Sequence, residues 1–230
     1  MLECRLVDGV LTVLLNRPDK ANALCSEMLK GLIVVLGTAK NDQEVKAFVV
    51  TGAGDRVFSG GADLGEMQAA EQDPAFAQEY FKLWDDAVNA LMDFPLPTVA
   101  LINGACVAGG LSLALACDVR TALDNAFMSY PRVAEGHLPG RHNLTHLTKL
   151  VGKSRANLVM LFGYRVYAQE AFAWGLVDTL LDSATEMGDI LSSLPQGNRE
   201  LLATAKTLIQ NPGDDEAWAE AGSNSDENEG

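Results

Sequence analysis

Basic residues are scarce in this 230-residue chain, which has 17 lysines and arginines against 31 acids. The formal net charge of −14 repels the phosphate backbone of nucleic acids and anionic membrane surfaces, which argues against nucleic-acid binding. The imbalance is greatest between Asn211 and Gly230, where seven acids and no base occur. We expect residues 213–230 to form an acidic, disordered tail that aids solubility, with docking of a partner as the alternative.

Cysteine is also rare, and the four cysteines show neither metal-ligand spacing nor the number that a disulfide framework needs. Reduced thiols fit the cytosol, and the N-terminal segment has an early acid and base rather than the apolar core of a signal peptide. We therefore expect a cytoplasmic protein. The one long uncharged run, Thr98–Cys117, is interrupted at Asn103-Gly104 and Gly109-Gly110. These breaks favour a buried strand, a turn and a buried helix over a membrane span.

Short apolar runs bounded by turn residues alternate with helical patterns along the chain. This alternation predicts an α/β fold with a covered sheet. We expect a core of residues 1–180 followed by a shortened helical region at 181–212. Ser26 is placed to cap one helix and Pro74 to open another. The predicted strands are Leu11–Asn16, Ala47–Thr51, Val99–Ile102 and Leu176–Leu180, and the later predicted helices are Lys153–Gly163, Gln169–Trp174 and Asn198–Gln210.

Two glycine-rich loops each follow an apolar strand and precede a helical run. The first extends from Thr51 to Leu64 and the second from Asn103 to Leu111. Glycines allow backbone N–H groups to approach a ligand without hindrance from a Cβ, and a helix N-terminus adds positive partial charge. The loops therefore predict either two tight turns or, where they converge, an oxyanion hole for a developing negative oxygen.

Other functions of glycine-rich loops lack their partner residues here. Gly52-Ala53-Gly54 is followed by Val57 where a dinucleotide-binding fingerprint needs its third glycine. No Gly-Lys-Ser/Thr follows these glycines, as a phosphate loop requires, and no tyrosine is followed four residues later by lysine. A dinucleotide fold, a nucleoside-triphosphatase and a short-chain dehydrogenase are therefore disfavoured.

Several motifs occur in a fixed order. They read LNRPDKANAL (Leu15–Leu24), VVTGAGDRVFSGGADLGEM (Val49–Met67), PTVALINGACVAGGLSLALACD (Pro97–Asp118), LVGKSRA (Leu150–Ala156) and AFAWGLVD (Ala171–Asp178). Together they resemble the crotonase superfamily, the enoyl-CoA hydratase/isomerase family. The resemblance implies a spiral of ββα units, assembly as a homotrimer or a dimer of trimers, and acyl-CoA thioester substrates. Coenzyme A then enters as part of the substrate, with no permanently bound cofactor.

The resemblance also implies roles for particular residues. The backbone amides of Ala62 and Gly109 would hold the thioester oxygen as it becomes an enolate, and Gly110 would contact the substrate. Asp63 and Asp118 match family motif positions that we interpret as structural. The residues implied to bind coenzyme A are Asn22, Ala23, Leu24, Gly60, Ala62 and Leu64.

Two positions depart from the family pattern. Where hydratases of the family carry paired glutamates, this chain has Ser112 and Arg132, which argues against the standard hydratase mechanism. Glu135 and His137 are the candidate replacements for acid–base chemistry. Ser112 and Arg132 are candidate substrate-binding residues, and Arg132 suits a substrate carboxylate. An ion pair between Arg132 and Glu135, and a bond from Ser112 back to a helix carbonyl, are the structural alternatives.

His142 and His146 are four residues apart and share a face if a helix begins near Pro139. No third ligand is placed beside them, so we expect no metal site. The sequence leaves three hypotheses open. The first is an acyl-CoA enzyme of the lyase or isomerase class with a non-standard acid–base group. The second is a non-catalytic acyl-CoA-binding protein, and the third an assembly subunit. The short C-terminal region weakens the expectation of a trimer.

Overall fold

The computed structural model describes residues 1–192, 198–213 and 218 of the chain. The predicted tail lies almost entirely outside these residues and stays a prediction. The strands are β1 (Leu2–Val7), β2 (Val10–Leu15), β3 (Ala47–Gly52), β4 (Val57–Ser59), β5 (Thr98–Ile102), β6 (Ala105–Val107), β7 (Val119–Leu123), β8 (Phe127–Ser129), β9 (Val166–Tyr167) and β10 (Thr179–Leu181). The α-helices are α1 (Ser26–Ala39), α2 (Leu64–Gln72), α3 (Pro74–Met92), α4 (Gly109–Leu115), α5 (Arg141–Leu161), α6 (Ala168–Trp174), α7 (Met187–Ser192) and α8 (Arg199–Gln210). Short 3-10 helices occur at Pro18–Lys20, Pro131–Glu135 and Ala184–Glu186.

Strand pairs followed by helices recur along the chain, which confirms the predicted α/β class. In the described residues, one sheet has the order β1-β2-β3-β5-β7-β10 and the other the order β4-β6-β8-β9. Within the larger sheet, β2, β3, β5, β7 and β10 run parallel, and β1 is antiparallel to β2. Parallel neighbours require crossover connections, so helices cover the sheets.

The smaller sheet places the two glycine-rich loops side by side. Strands β4 and β6 pair in parallel, with Ser59 opposite Cys106. Because parallel neighbours end at the same edge of a sheet, the chain leaves both strands at one place. It enters α2 after β4 and α4 after β6. Two helix N-termini therefore meet at this edge.

The long uncharged run of the sequence is buried rather than lipid-exposed. Strand β5 is buried along its whole length, and α4 is buried from Gly110 to Leu115. The Asn103 side chain lies between these elements and donates to the carbonyls of Gly52 at 2.8 Å and Gly54 at 2.7 Å. Among the described residues, no helix combines the length and the apolar character that spanning a membrane requires.

Three local predictions need correction. Cys25, not Ser26, is the N-cap of α1, and the Ser26 hydroxyl donates instead to Glu66 at 2.9 Å. Helix α5 begins at Arg141 and is interrupted at Gly152, which has φ 77°, so the predicted helix is only its second half. The predicted strand Leu176–Leu180 is shifted to β10, because the amides of Leu176 and Val177 bond to the Ala171 carbonyl of α6.

The C-terminal helix α8 is anchored to the core by a charged residue. The Lys206 ammonium lies 2.7 Å from Asp118 Oδ2 and donates to the Leu96 carbonyl at 3.0 Å. Leu202 packs into the main apolar cluster from the same helix. Helix α8 therefore packs against the core of its own chain. Asp118 also accepts from the Thr98 amide at 2.8 Å, which agrees with its structural interpretation.

Candidate active site

A cavity of about 570 Å³ opens where the two glycine-rich loops meet. Its wall is formed by the starts of α2 and α4, the middle of α3 and the segment between β8 and α5. The predicted site residues that line it are Gly60, Ala62, Leu64, Gly109, Ser112, Arg132 and His137. The predicted site residues that do not line it are Asn22, Ala23, Leu24, Gly110 and Glu135.

The first loop presents the amide of Ala62 at the cavity wall. Leu24 donates to the Gly61 carbonyl at 2.7 Å, and Asp63 donates to the Leu24 carbonyl at 3.1 Å. These bonds form an isolated parallel bridge between Leu24 and Ala62. In such a bridge the neighbours of Ala62 face Leu24, so the Ala62 N–H points to the opposite side.

Asp63 fixes the turn from this loop into α2. Its carboxylate accepts from the Gly65 amide at 2.9 Å and lies 3.0 Å from an Arg17 nitrogen. Burial raises the pKa of Asp63, but the Arg17 bond and the α2 amides outweigh burial and hold the pKa below its usual value. Asp63 is therefore a charged helix cap, as a carboxylate at a helix N-terminus should be.

The second loop presents the amide of Gly109, the first residue of α4. The preceding Ala108 has φ 51°, a conformation that is costly for an L-residue. Its N–H donates to the Ser129 carbonyl at 3.0 Å, and its own carbonyl accepts from the Ser112 amide at 3.1 Å. Hydrogen bonds thus hold Ala108 through both its N–H and its carbonyl, and the Gly109 N–H has no intrahelical partner.

The two loops approach each other as closely as their backbones allow. A Cβ built on Gly61, which has φ 99°, would lie 2.8 Å from the Gly109 nitrogen. A Cβ on Gly110 would lie 2.4 Å from the Ser59 carbonyl oxygen. Gly110 is therefore a packing residue in this structure, not part of the cavity wall. Within the described part of the chain, neither the Ala62 amide nor the Gly109 amide donates to another backbone carbonyl.

Asn22 and Leu24 support the loop from behind. Both are fully buried. The Asn22 side chain donates through Nδ2 to the carbonyls of Ala53 at 3.0 Å and Val57 at 2.7 Å. Its Oδ1 accepts from the Arg17 backbone N–H at 3.0 Å. Their predicted direct contact with coenzyme A therefore needs correction, because no side-chain surface is exposed. Asn22 instead fixes the geometry of the loop, because its buried side chain has its hydrogen bonds satisfied.

Arg132 lies in the cavity wall and forms an ion pair with Glu135 outside it. The Arg132 side chain is 19% exposed and that of Glu135 is 51% exposed. The His137 amide donates to the Arg132 carbonyl at 2.9 Å. The His137 imidazole Nε2 lies 3.5 Å from the Oε1 atom of Glu71 on α2. His137 therefore contacts α2, the helix that Ala62 precedes.

Sequence reasoning missed several polar residues of the wall. They include Asp85 and Asn143, and Tyr130 and His142 line the cavity beside them. Asp85 is the one acid among the described residues that line the cavity. In the sequence, its position next to the apolar face of α3 is the feature that could have indicated it. Burial raises the pKa of the Tyr130 hydroxyl, against a smaller lowering by the positive charge of Arg132.

The histidine pair of α5 lies only partly in the cavity wall. The rings of His142 and His146 lie 6.2 Å apart between centroids, and only His142 reaches the cavity wall. Burial lowers the pKa of His146. Among the residues that the structure describes, no group of three histidines, cysteines or acids is arranged to hold a metal ion.

Comparison with known proteins gives a consistent result. The sequence profile described as enoyl-CoA hydratase/isomerase matches residues 5–212. The chain is 32% identical over 201 residues to the short-chain-enoyl-CoA hydratase of Clostridium acetobutylicum, covering 87% of this chain and 75% of that protein. It is 35% identical over 201 residues to the mitochondrial enoyl-CoA hydratase of Pongo abelii, covering 85% and 67%. The structure of Pseudomonas aeruginosa DspI superposes with a TM-score of 0.85 at 34% identity, covering 93% of this chain and 87% of that one.

Proposed function

The chain belongs to the enoyl-CoA hydratase/isomerase family, and on that premise we propose that it acts on acyl-CoA thioesters through an enolate. In this proposal the amides of Ala62 and Gly109 hold the enolate oxygen. One observation carries it: both residues line one cavity, and the peptide carbonyls that precede their amides are already hydrogen-bonded. The N–H groups are therefore fixed in place before a ligand arrives.

The chemistry follows from that geometry. A base removes a proton from the carbon next to the thioester carbonyl, and the C–H electron pair moves into the new C=C bond of the enolate. The carbonyl π electrons move onto the oxygen, where two fixed dipoles and the α4 N-terminus stabilise the charge. Such fixed donors supply about 3–4 kcal/mol each in known enzymes. When the acyl chain has a β,γ-double bond, the enolate is conjugated with it, and return of the proton to the γ-carbon completes an isomerisation. When the β-carbon carries a leaving group, the enolate electrons form the α,β-double bond and the group departs with its bonding pair and the abstracted proton, which completes an elimination.

The acid–base group in this proposal is His137. It lines the cavity, and an imidazole can act as a general acid or a general base. Glu135, the other candidate, is engaged with Arg132 and lies outside the wall, so it ranks second. The positions of Ser112 and Arg132 supply no carboxylate to the cavity. We therefore assign the protein to the lyase or isomerase class without the paired-glutamate mechanism.

The coenzyme A part of the substrate would enter beside the first loop. Gly60 and Leu64 line the cavity, and Leu64 is 69% exposed at its mouth. Ala23 is half-buried. We propose that the pantetheine passes over these residues and delivers the thioester to Ala62. No resident cofactor takes part in this scheme.

We also propose that the protein forms a homotrimer or a dimer of trimers, in the cytoplasm. The support is a set of exposed large apolar side chains between the end of α5 and α6, a concentration typical of interaction surfaces. The four cysteines are free thiols, as a reducing compartment favours. The exposed side chains are Leu158, Leu161, Phe162, Tyr164, Tyr167 and Phe172.

A panel of acyl-CoA thioesters tests the function, with thermal unfolding to report binding and mass spectrometry to report conversion. The proposal predicts stabilisation by at least one thioester, because a ligand of the native state raises stability, together with a product of changed mass or retention. Stabilisation without a product across saturated, enoyl and dicarboxylic acyl-CoA would favour a non-catalytic binding protein. No stabilisation by any thioester would contradict the proposal and favour an assembly subunit.

A further inference from the structure

Ser112 and Asn143 form a buried polar contact behind the Gly109 amide. Asn143 Nδ2 donates to Ser112 Oγ at 2.7 Å, and Ser112 Oγ donates to the Ala108 carbonyl at 3.3 Å. Ser112 and Asn143 are each 6% exposed. The other residues of α4 are glycine, alanine and leucine, so Ser112 is the single polar side chain of that helix. Burying two polar groups is favourable only when both are satisfied.

The bonded carbonyl belongs to the same peptide unit as the Gly109 N–H. Ala108 O accepts from both the Ser112 amide and the Ser112 hydroxyl. The peptide is planar, so fixing the carbonyl also fixes the direction of the N–H. A donor at the carbonyl also polarises the amide and makes its N–H a stronger donor, because hydrogen bonds in a chain reinforce one another.

Ala108 explains why this peptide needs support. Its φ of 51° is unfavourable for alanine, and such a conformation persists only where surrounding bonds over-determine it. The Ser129 carbonyl holds the Ala108 N–H at 3.0 Å on one side. Ser112 and Asn143 hold the carbonyl on the other side. The corresponding Gly61 carbonyl of the first loop accepts from the main chain of Leu24. Among the described residues, the side-chain relay therefore serves the Gly109 amide and not the Ala62 amide.

We propose that Asn143 and Ser112 are positioning residues, which through the Ala108 carbonyl orient and polarise the Gly109 N–H toward the thioester oxygen. This inference rests on the proposed function, since it requires that the Gly109 amide bind that oxygen. Ser112 then acts through the Ala108 carbonyl and not by direct contact with the substrate. It also predicts that Asn143 acts only through Ser112.

The test is the infrared carbonyl band of bound butyryl-CoA labelled with ¹³C at the thioester carbonyl. The full-length protein is saturated with labelled or unlabelled butyryl-CoA, and the difference spectrum isolates the band. The proposed function predicts a shift to lower wavenumber on binding, because hydrogen bonds to the oxygen weaken the C=O bond. The inference predicts that Ser112→Ala loses part of this shift. Asn143→Leu should reduce the shift in the wild-type background and add nothing to Ser112→Ala.

Two further variants separate this effect from damage to the fold. Ser112→Cys has nearly the same volume and a weaker donor, so it should give an intermediate shift. Thr207→Ala removes an equivalent hydroxyl-to-carbonyl bond on α8, to Ala203 at 3.0 Å, and should leave the band unchanged. On any acyl-CoA that is converted, Ser112→Ala should lower kcat by about 2- to 10-fold, the worth of one neutral hydrogen bond.

The outcomes distinguish the two claims. No binding of any acyl-CoA thioester, or no band shift for the thioester bound to the wild-type protein, would overturn the proposed function and this inference with it. A wild-type shift that Ser112→Ala and Ser112→Cys retain in full would overturn the relay and leave the oxyanion role intact. If Ser112→Ala does not fold, Ser112→Cys and Asn143→Leu decide the question. An Asn143→Leu effect that persists in a Ser112→Cys background at full size would also contradict the relay.

Discussion

Gly61 approaches the backbone nitrogen of Gly109 so closely that a Cβ on Gly61 would lie 2.8 Å from it. This contact joins a loop after β4 to a loop after β6, about fifty residues apart in the sequence. It sets the spacing between the Ala62 and Gly109 amides, since each belongs to a peptide next to the contact. A glycine is required at position 61 both for its φ of 99° and for space.

Replacing Gly61 by alanine should abolish thioester conversion. The added Cβ must push the Gly109 nitrogen or the Val107 carbonyl away, which separates the two amides. Gly54→Ala is the matched control, because Gly54 has φ 83° and no atom near the built Cβ. Both variants should lose about 1 kcal/mol of folding free energy from positive φ, and only Gly61→Ala should lose turnover. Equal turnover in the two variants would contradict the role of the contact.

Arg132 should favour acyl groups that carry a second carboxylate. Arg132→Gln should weaken binding of glutaryl-CoA by about 10-fold, the value of a charge-assisted hydrogen bond. It should leave valeryl-CoA, which ends in a methyl group, almost unchanged. Glu135→Gln frees Arg132 from its ion pair and should tighten glutaryl-CoA. Calorimetric titration of both ligands measures these effects, and equal losses for the two thioesters in Arg132→Gln would contradict them.

The depressed pKa of His146 should make stability fall in mild acid. Burial lowers the pKa below its ordinary value of 6.5, against a bond with the Leu115 backbone that raises it. Below pH 6.5 the unfolded chain therefore binds more protons than the native protein, so the free energy of unfolding decreases as pH falls toward the native pKa. Above pH 6.5 the histidine is neutral in both the folded and the unfolded state, so it no longer reduces the free energy of unfolding. Urea unfolding at about pH 5.5 and 7.5 should show a smaller decrease for His146→Gln than for wild type. Identical pH dependence in the two proteins would refute this.

Removing Lys206 should release α8 from the core. Lys206→Met breaks the ion pair with Asp118 and the bond to the Leu96 carbonyl, and it should cost about 2 kcal/mol. Lys82→Met breaks an exposed pair with Asp86 and should cost less than about 0.5 kcal/mol. Urea unfolding at one fixed protein concentration compares the variants. A loss for Lys206→Met no larger than that for Lys82→Met would show that α8 does not depend on this anchor.

The sequence predicts those parts of the site at which only certain residue types can serve. Gly61 is needed because the Gly109 backbone lies against it, and Gly109 is needed because the Trp84 ring lies against it. The glycine-rich loop motifs alone therefore indicate both ends of the contact. Contacts between distant segments leave no such signal. The pairing of Asn143 with Ser112 spans 31 residues, and nothing local to α5 indicates it. The same limit applies to Asp85, whose exposure to the cavity depends on how α3 crosses α4.

Element boundaries failed where tertiary bonds override local preference. Leu176 and Val177 have strand-like character, yet their amides bond to the Ala171 carbonyl. The adjacent Asp178 pairs with the buried Arg120 at 2.9 Å, so the segment is held as a turn. Ser26 is a good capping residue by type, but its amide and hydroxyl both bond to Glu66 on α2.

The most direct test of the account is the amide spectrum of ¹⁵N-labelled, deuterated protein with two ligands that differ only at the carbonyl. Butyryl-CoA has a thioester oxygen, whereas S-butyl-CoA is the thioether without it. The account predicts that the Ala62 and Gly109 amide protons move downfield with butyryl-CoA and not with S-butyl-CoA, because only the thioester accepts their hydrogen bonds. The same shifts with both ligands, or no shift at either amide while butyryl-CoA is bound, would contradict it.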